Sequence, residues 1–425
     1  MNSSRPLDTW GGLLICWVLA LWARLRSVLG GPALPPLRAT TPPGPEPIPA
    51  PRRVLAIKFY GLGNIAMLLP VLRELRDNLP AGAEIDFLTL EGNRSLLEAS
   101  GLTTNVLTAR LDSPLLFLRG VVSALMTARA RHYDVVIDFE QFIKISAIFA
   151  YCTGTPERIG FNTDGQNRAW LYTTRVVYTD SEHMSGIFRR VLRPLGIRPD
   201  PRQVPMRLGP ADEGLVDEIL GGNGVTEEAF PVIGVHLGSG PNFYRVPLKR
   251  WPVENFAALC DALVDRYGAR IILTGQGEEE RELVGVVRQS MHNDCVDTCD
   301  KLSVGALLAL MNRCHLVIAN DTSVMHLAAL MRTPCVAFFG PTAPIHYGPN
   351  NPEDLVFYLD QYCSPCLTNY NLKISRCLDP VCVRRIGVAE VLAGIEREYL
   401  GEEAPLRDSL RRVVAEAAAR RAASA

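Results

Sequence analysis

In the stretch 318–329, IANDTSVMHLAA, an apolar run stops at Asn-Asp-Thr-Ser and an apolar helical pattern carrying one histidine begins at once. Asp321, Thr322 and Ser323 are helix-capping residue types. A helix N-terminus there would turn free N–H groups and the positive end of its dipole toward an anion such as a diphosphate. Capping alone is the competing reading, and His326, one turn in, reads by itself as packing before ligand contact. Other polar groups keep the cluster company. HLGSG (236–240), TGQGEEERE (274–282) and FGPTAP (339–344) each follow an apolar run, and LKRWP (248–252) opens a helical pattern with Lys249 and Arg250. In open parallel sheets, ligands bind outside the carboxyl ends of the strands, where these residues would lie. A second set sits earlier in the chain. Asn64 lies in the turn after VLAIKF, and Asp138 and Glu140 end the run IDFEQF, with Lys144 about one turn farther on. Two carboxylates there could do acid–base work, although Asp138 reads more simply as a helix cap. Lastly, CSPCLTNYNLKISRCLDPVC brings Cys363, Cys366, Cys377 and Cys382 into a CxxC pair and a Cys-x4-Cys pair. That spacing leaves structural zinc, free thiols or disulfides open.

The elements that must position these groups alternate. VLAIKF (54–59), a helix near 65–78, EIDFLTL, DVVIDF and a helix near 141–152 make one series. PVIGVHLG (231–238), ARIILTG (269–275), HLVIAN (315–320) and CVAFFG (335–340) make another, with helices over 253–267, 278–291, 303–313 and 323–331. Strands alternating with helices imply right-handed crossovers and parallel sheets covered on both faces, so the fold class is α/β with two doubly wound domains. The domains expected are 54–205 and 231–400, joined by a linker over 206–230, where Pro, Gly and acids weaken the periodicity.

Composition excludes some partners. Lys plus Arg number 44 against 45 Asp plus Glu, a formal charge of −1, which offers no field for gripping nucleic acid. Eleven cysteines, several inside apolar runs, favour a reducing, cytosolic compartment. The uncharged run GGLLICWVLALWA (11–23) precedes Arg24 and Arg26, so a membrane-anchor helix over 1–30 would leave the body on the cytoplasmic side. At 13 residues the run is short of the roughly 20 that span a bilayer. A hydrophobic helix docked on the protein itself is the alternative. Residues 31–53 are Pro-rich and read as an extended spacer, and 401–425 as a basic, Ala-rich tail.

Taken together, LKRWPVENFAAL, ILTGQGEEERE and VIANDTSVMHLAALMRTPCVAFFGPT resemble the heptosyltransferases of glycosyltransferase family 9, over about residues 53–395. The resemblance implies a GT-B-like architecture, two Rossmann-like domains facing a cleft, with the donor nucleotide sugar held by the C-terminal one and no cofactor required. It implies that Lys249 is a diphosphate-binding cation, Glu278 a ribose-binding carboxylate, and Asp321, Thr322, Ser323 and His326 the donor-sugar and phosphate cluster. Arg250 could serve in place of Lys249. Glu278 could equally belong to a solvated first helical turn. The implied partners are a nucleotide-sugar donor such as ADP-heptose and a glycolipid, glycan or lipopolysaccharide-type acceptor, while the N-terminal segment is expected to bring the chain to the membrane surface, at the cytoplasmic face of the inner (plasma) membrane. The implied reaction is inverting sugar transfer.

One position departs from the family. Where the family carries Gly-x-Gly-Asp with the Asp as general base, this chain reads Gly61-Leu62-Gly63-Asn64. An amide does not take a proton at neutral pH. Either another group serves, with Glu140 the first choice and Asp138 the reserve, or the chain is a nucleotide-sugar-binding homologue that acts as scaffold or regulator. A dinucleotide-dependent oxidoreductase is disfavoured, because GLGNIA ends in Ala66 and no acidic ribose reader follows at the expected distance.

Overall fold

The alternation of strand and helix patterns folds into two parallel sheets. The computed structural model describes residues 38–39, 47–110, 113–226, 229–240, 246–371, 373–408 and 410. The apolar run 11–23, the anchor expected over 1–30 and the tail from 411 onward lie outside the described residues. Within the described residues, no helix is long and apolar enough to cross a membrane. The chain divides into two units, Met1–Pro205 and Met206–Ala425.

In the first unit, the described residues form strands β1 (Arg38–Ala39), β2 (Arg53–Ile57), β3 (Glu84–Leu90), β4 (Asn105–Ala109), β5 (Val135–Asp138), β6 (Glu157–Asn162) and β7 (Thr174–Val177). They pair in parallel in the order β1-β7-β6-β5-β2-β3-β4. Val54–Ile57 of β2 and Val135–Ile137 of β5 are apolar and buried because helices cover both faces of a parallel sheet. The chain runs outward from β2 to β4, then returns to β5 and runs the other way. That reversal puts a crevice at the carboxyl ends of β2 and β5. The Pro-rich segment is more than a spacer. Arg38–Ala39 pairs with Thr174–Arg175, and Ile48 is buried, its N–H donating to Pro194 O at 2.8 Å. A Pro-rich chain is already extended, so it can add to a sheet edge wherever a residue retains its N–H and an apolar side chain.

The second unit carries β8 (Val232–His236), β9 (Arg270–Thr274), β10 (Val296–Asp297), β11 (Leu316–Asn320), β12 (Cys335–Phe339) and β13 (Leu355–Tyr358), parallel throughout and ordered β10-β9-β8-β11-β12-β13. Its reversal falls between β8 and β11. The core below includes Ile233, Val235, Ile318, Phe338 and Trp251, all fully buried. The segment expected as a linker over 206–230 contains the helix Pro210–Gly222, which belongs to this unit. Only Val216 and Leu220 are buried along it, so its sequence shows almost no apolar period. It packs on the helix Val304–Met311, and Asp212 accepts from Ser303 Oγ at 2.7 Å.

Candidate functional site

Strand β11 delivers Asn320 and Asp321 to the reversal point of the second sheet, and the helix Ser323–Met331 starts two residues later. Thr322 occupies the cap position in an extended conformation, yet no side chain caps the helix. Asp321, Thr322 and Ser323 therefore do not spend their side chains on capping, and the terminal N–H groups remain available to an anion. Asp321 instead takes the Lys249 ammonium at 2.8 Å and a hydrogen bond from the Thr342 hydroxyl. Burial would raise its pKa, but the Lys249 charge, the bonds from Lys249 and Thr342, and the charge of Lys373 outweigh it and hold the carboxyl below its usual range. Asp321 is thus an anion that fixes one cation, Lys249, with a second, Lys373, within electrostatic reach. His326 is buried in the same helix.

Lys249 reaches Asp321 because the backbone behind it is rigid. Trp251 is fully buried, stacks on Phe338 with ring centroids 4.3 Å apart and donates Nε1–H to Ile386 O at 2.9 Å. Asn320 joins the loops. Its Oδ1 accepts from Trp251 N at 2.8 Å, and its Nδ2 donates to Leu237 O at 2.9 Å and Gly238 O at 3.2 Å. The sequence reading passed over Asn320, although its position between the apolar run and Asp321 marked it as the first polar group at a strand end. Arg250 points elsewhere, to Glu279 at 2.7 Å, and does not share the role given to Lys249.

At the tips of β8 and β9, Glu278 is an exposed residue of the first turn of the helix Glu278–Ser290. Glu280 is the member of the triplet that turns inward. Its Oε2 accepts from Gln276 N at 2.8 Å and its Oε1 lies 3.7 Å from His236 Nε2. A Cβ on Gly238 would stand 1.8 Å from Glu280 Oε1, so only glycine fits beside that carboxylate. Burial lowers the His236 pKa, with Glu280 opposing, and the ring sits 3.1 Å from Thr274 Oγ1. Spacing could not separate the three glutamates, because all of them lie within one helical turn.

The Cys-rich segment supports the loop after β12. Leu367 N donates to Pro341 O at 2.7 Å and the Ser364 hydroxyl donates to Gly340 O, next to Thr342. Of the readings left open for these cysteines, zinc has no site among the described residues, where no group of three or more His, Cys, Asp or Glu side chains could hold a metal ion. All four are free thiols, and Cys363, Cys366 and Cys377 lie within electrostatic reach of the buried Cys382, where they add to burial in pushing its thiol up to about 11.

In the first unit, Asn64 lies in the first turn of the helix Leu62–Asn78, behind Gly61, whose φ of 88° only glycine adopts readily. Its amide donates to Tyr60 O at 3.4 Å. Glu140, the expected base, is buried and committed. Oε2 pairs with Lys58 Nζ at 2.7 Å, and Oε1 accepts from Phe59 N at 2.8 Å and Tyr60 N at 3.1 Å. It holds the turn that carries Asn64. Asp138 is fully buried against Arg168 and Tyr172, each at 2.6 Å, and accepts from Glu140 N at 2.9 Å. Neither carboxylate presents an open face to a substrate hydroxyl. Asp138 is not a helix cap either, since the next helix starts at Lys144 behind Ile143. Lys144 is buried and donates to Gln166 Oε1 at 3.1 Å.

Two doubly wound parallel-sheet units make a GT-B-like fold, with a cation and a helix N-terminus at the reversal point of the second. The model of glycosyltransferase family 9 (heptosyltransferase) matches residues 123–373, more than half of the chain, and the chain belongs to that family. The lipooligosaccharide heptosyltransferase 2 of Haemophilus influenzae is 30% identical over 116 residues, a match that spans 27% of this chain and 33% of that relative. Among solved structures, a glycosyl transferase family 9 protein from Veillonella parvula shares the fold with a TM-score of 0.69 at 23% identity, over 81% of this chain and 96% of that one. The E. coli heptosyltransferase WaaC, solved with ADP-2-deoxy-2-fluoro heptose, superposes with a TM-score of 0.60 at 18% identity, over 81% and 99% of the two chains.

Proposed function

We propose that this chain transfers a heptose-like sugar, with inversion, from a nucleotide diphosphate donor to a membrane-associated glycan or lipopolysaccharide-type acceptor at the cytoplasmic face of the inner membrane. The observation that carries the proposal is the Lys249–Asp321–Thr342 cluster beside the uncapped helix Ser323–Met331. In such a transfer the acceptor oxygen bonds to the anomeric carbon while the bond to the diphosphate oxygen breaks. Negative charge then grows on the leaving diphosphate. Lys249, the helix N–H groups and the charge of Lys373 are placed to stabilise it, and Thr322, Ser323 and His326 line the same helix start. Glu278 is the proposed ribose contact, exposed and free to turn. ADP-heptose is the donor this reading favours, in line with the ADP sugar bound by WaaC.

A second reading rests on the first unit. The acceptor hydroxyl must lose a proton, and Asn64 cannot take it, while Glu140 and Asp138 are both engaged. A homologue that binds the nucleotide sugar without transferring it fits that arrangement. Calorimetry with ADP-sugars, paired with turnover on a lipid-linked core acceptor, decides. Binding with turnover supports transfer. Binding without turnover, with activity gained in Asn64→Asp, supports the second reading, and absence of binding removes both.

A further inference from the structure

We propose that the solvent face of the helix Pro114–Arg131, in the first unit, docks on an anionic lipid bilayer. This goes beyond the transfer reaction and does not depend on it. The helix buries one face, with Ala124 and Ala128 in the core and Val121 and Leu125 packed against it. That burial accounts for only part of its apolar content. Leu118, Val122 and Met126 recur at i, i+4 and i+8 on an adjacent side, about 110° round the helix from that face, with 58%, 50% and 64% of their surface exposed. Single exposed apolar residues are ordinary on a soluble surface, but three in one row along two helical turns form a continuous stripe.

The charges on this helix select the occupant. Residues 114–131 contain no Asp or Glu. At roughly 100° per residue, Arg129 falls about 20° from Leu118 and Arg119 about 20° beyond Met126, so both exposed arginines lie along the stripe. An apolar row edged by arginines matches a helix lying in the plane of a membrane interface, with apolar side chains below the headgroups and guanidinium groups at the lipid phosphates. Arg129 also donates Nε–H to Cys152 O at 2.9 Å, so Arg119 is the arginine that an apolar protein partner would leave unexplained.

The test uses the full-length chain with vesicles of phosphatidylcholine alone or mixed equally with phosphatidylglycerol. The triple variant L118S/V122S/M126S should lower partitioning onto the anionic vesicles by about tenfold or more. The double variant R119Q/R129Q should lower it by about fivefold or more on anionic vesicles and leave neutral vesicles unaffected. All five side chains are exposed, so the triple variant should melt like the parent and the double variant, which gives up the bond from Arg129 to Cys152 O, close to it. A Met126→Trp variant adds a second measurement, in which brominated lipids should quench its added fluorescence. The proposal is overturned if both variants partition like the parent. It is also overturned if the chain binds while the introduced tryptophan stays unquenched, which would assign binding to residues 11–23 alone. The same follows if the triple variant changes only the sedimentation of the protein, which would assign the stripe to a second copy.

Discussion

Asp321 carries more of the candidate site than its single charge implies, because it fixes Lys249 and is itself fixed by Thr342. Lys249→Ala removes the cation and Asp321→Ala removes its anchor, so each should weaken ADP-sugar affinity by about 10- to 100-fold in calorimetry. Arg250→Ala should change it little, since that guanidinium belongs to Glu279. An equal loss in Lys249→Ala and Arg250→Ala, with none in Asp321→Ala, would mean that the nucleotide reads a general positive field. For Glu140 the prediction changes sign of interest, from rate to stability. Glu140→Gln leaves Lys58 buried without its partner, a change that typically costs about 3–5 kcal/mol, so the variant should show a lowered melting temperature in calorimetry. A variant with unchanged melting and lost turnover would restore Glu140 as the base. The Asp321 cluster was legible in the sequence because its polar residues are contiguous at one strand end. The Lys58–Glu140 pair was not, since its members lie 82 residues apart and meet only when β2 and β5 become neighbours.

Elements turn such residues into a site by fixing loop ends, and Asn320 does this for three of them. Asn320→Ala removes three hydrogen bonds and leaves the Trp251 N–H and the Leu237 and Gly238 carbonyls to find other partners. A loss of about 2–4 kcal/mol in urea unfolding and weaker nucleotide binding should appear together. A stable Asn320→Ala with normal affinity would reduce it to a filler. The carboxyl of Asp354, between β12 and β13, shows how an element couples to pH. Burial, opposed by N–H groups of Asn351 and Cys335, pushes it up to about 7. An ordinary Asp in the unfolded chain titrates near 3.9, so between roughly pH 4 and 7 the folded state binds the proton that the unfolded state has lost. Stability from this group is therefore full at low pH and declines as pH rises through that window, by on the order of 3–4 kcal/mol. His236, with its lowered pKa, acts in the opposite direction, losing stability as pH falls. Denaturant unfolding from pH 5 to 8 should show a shallower decline in Asp354→Asn than in the parent, and parallel curves would count against the assignment. Helices with a one-sided apolar face, such as Val253–Tyr267, were legible at nearly their exact bounds. Pro114–Arg131 was not, because its apolar residues wrap more than half of its circumference and blur the period that marks a helix.

For the molecule as a whole, the sequence showed two doubly wound units but placed the edge of the first too late, because proline content was read as absence of structure. Ile48 is the residue that corrects it, buried and bonded to Pro194 five residues before β2 begins at Arg53. Truncations separate folding from membrane attachment at that point. A chain lacking residues 1–46 keeps Ile48 and, of the described contacts, gives up the two-residue pairing of β1 at the sheet edge, so it should fold and melt close to the full chain. A chain lacking 1–50 also loses the Ile48 side chain, whose burial is worth about 1.5–3 kcal/mol, and should melt measurably lower. The membrane readout runs the other way. If residues 11–23 anchor the chain and the helix Pro114–Arg131 docks beside it, the 1–46 deletion should lose binding to neutral vesicles and retain weaker, salt-sensitive binding to anionic ones. Complete release from both would confine attachment to the N-terminal segment. Aggregation of the 1–46 deletion in detergent-free buffer would instead show that the apolar run 11–23 packs on the body of the protein, and the anchor would have to be abandoned.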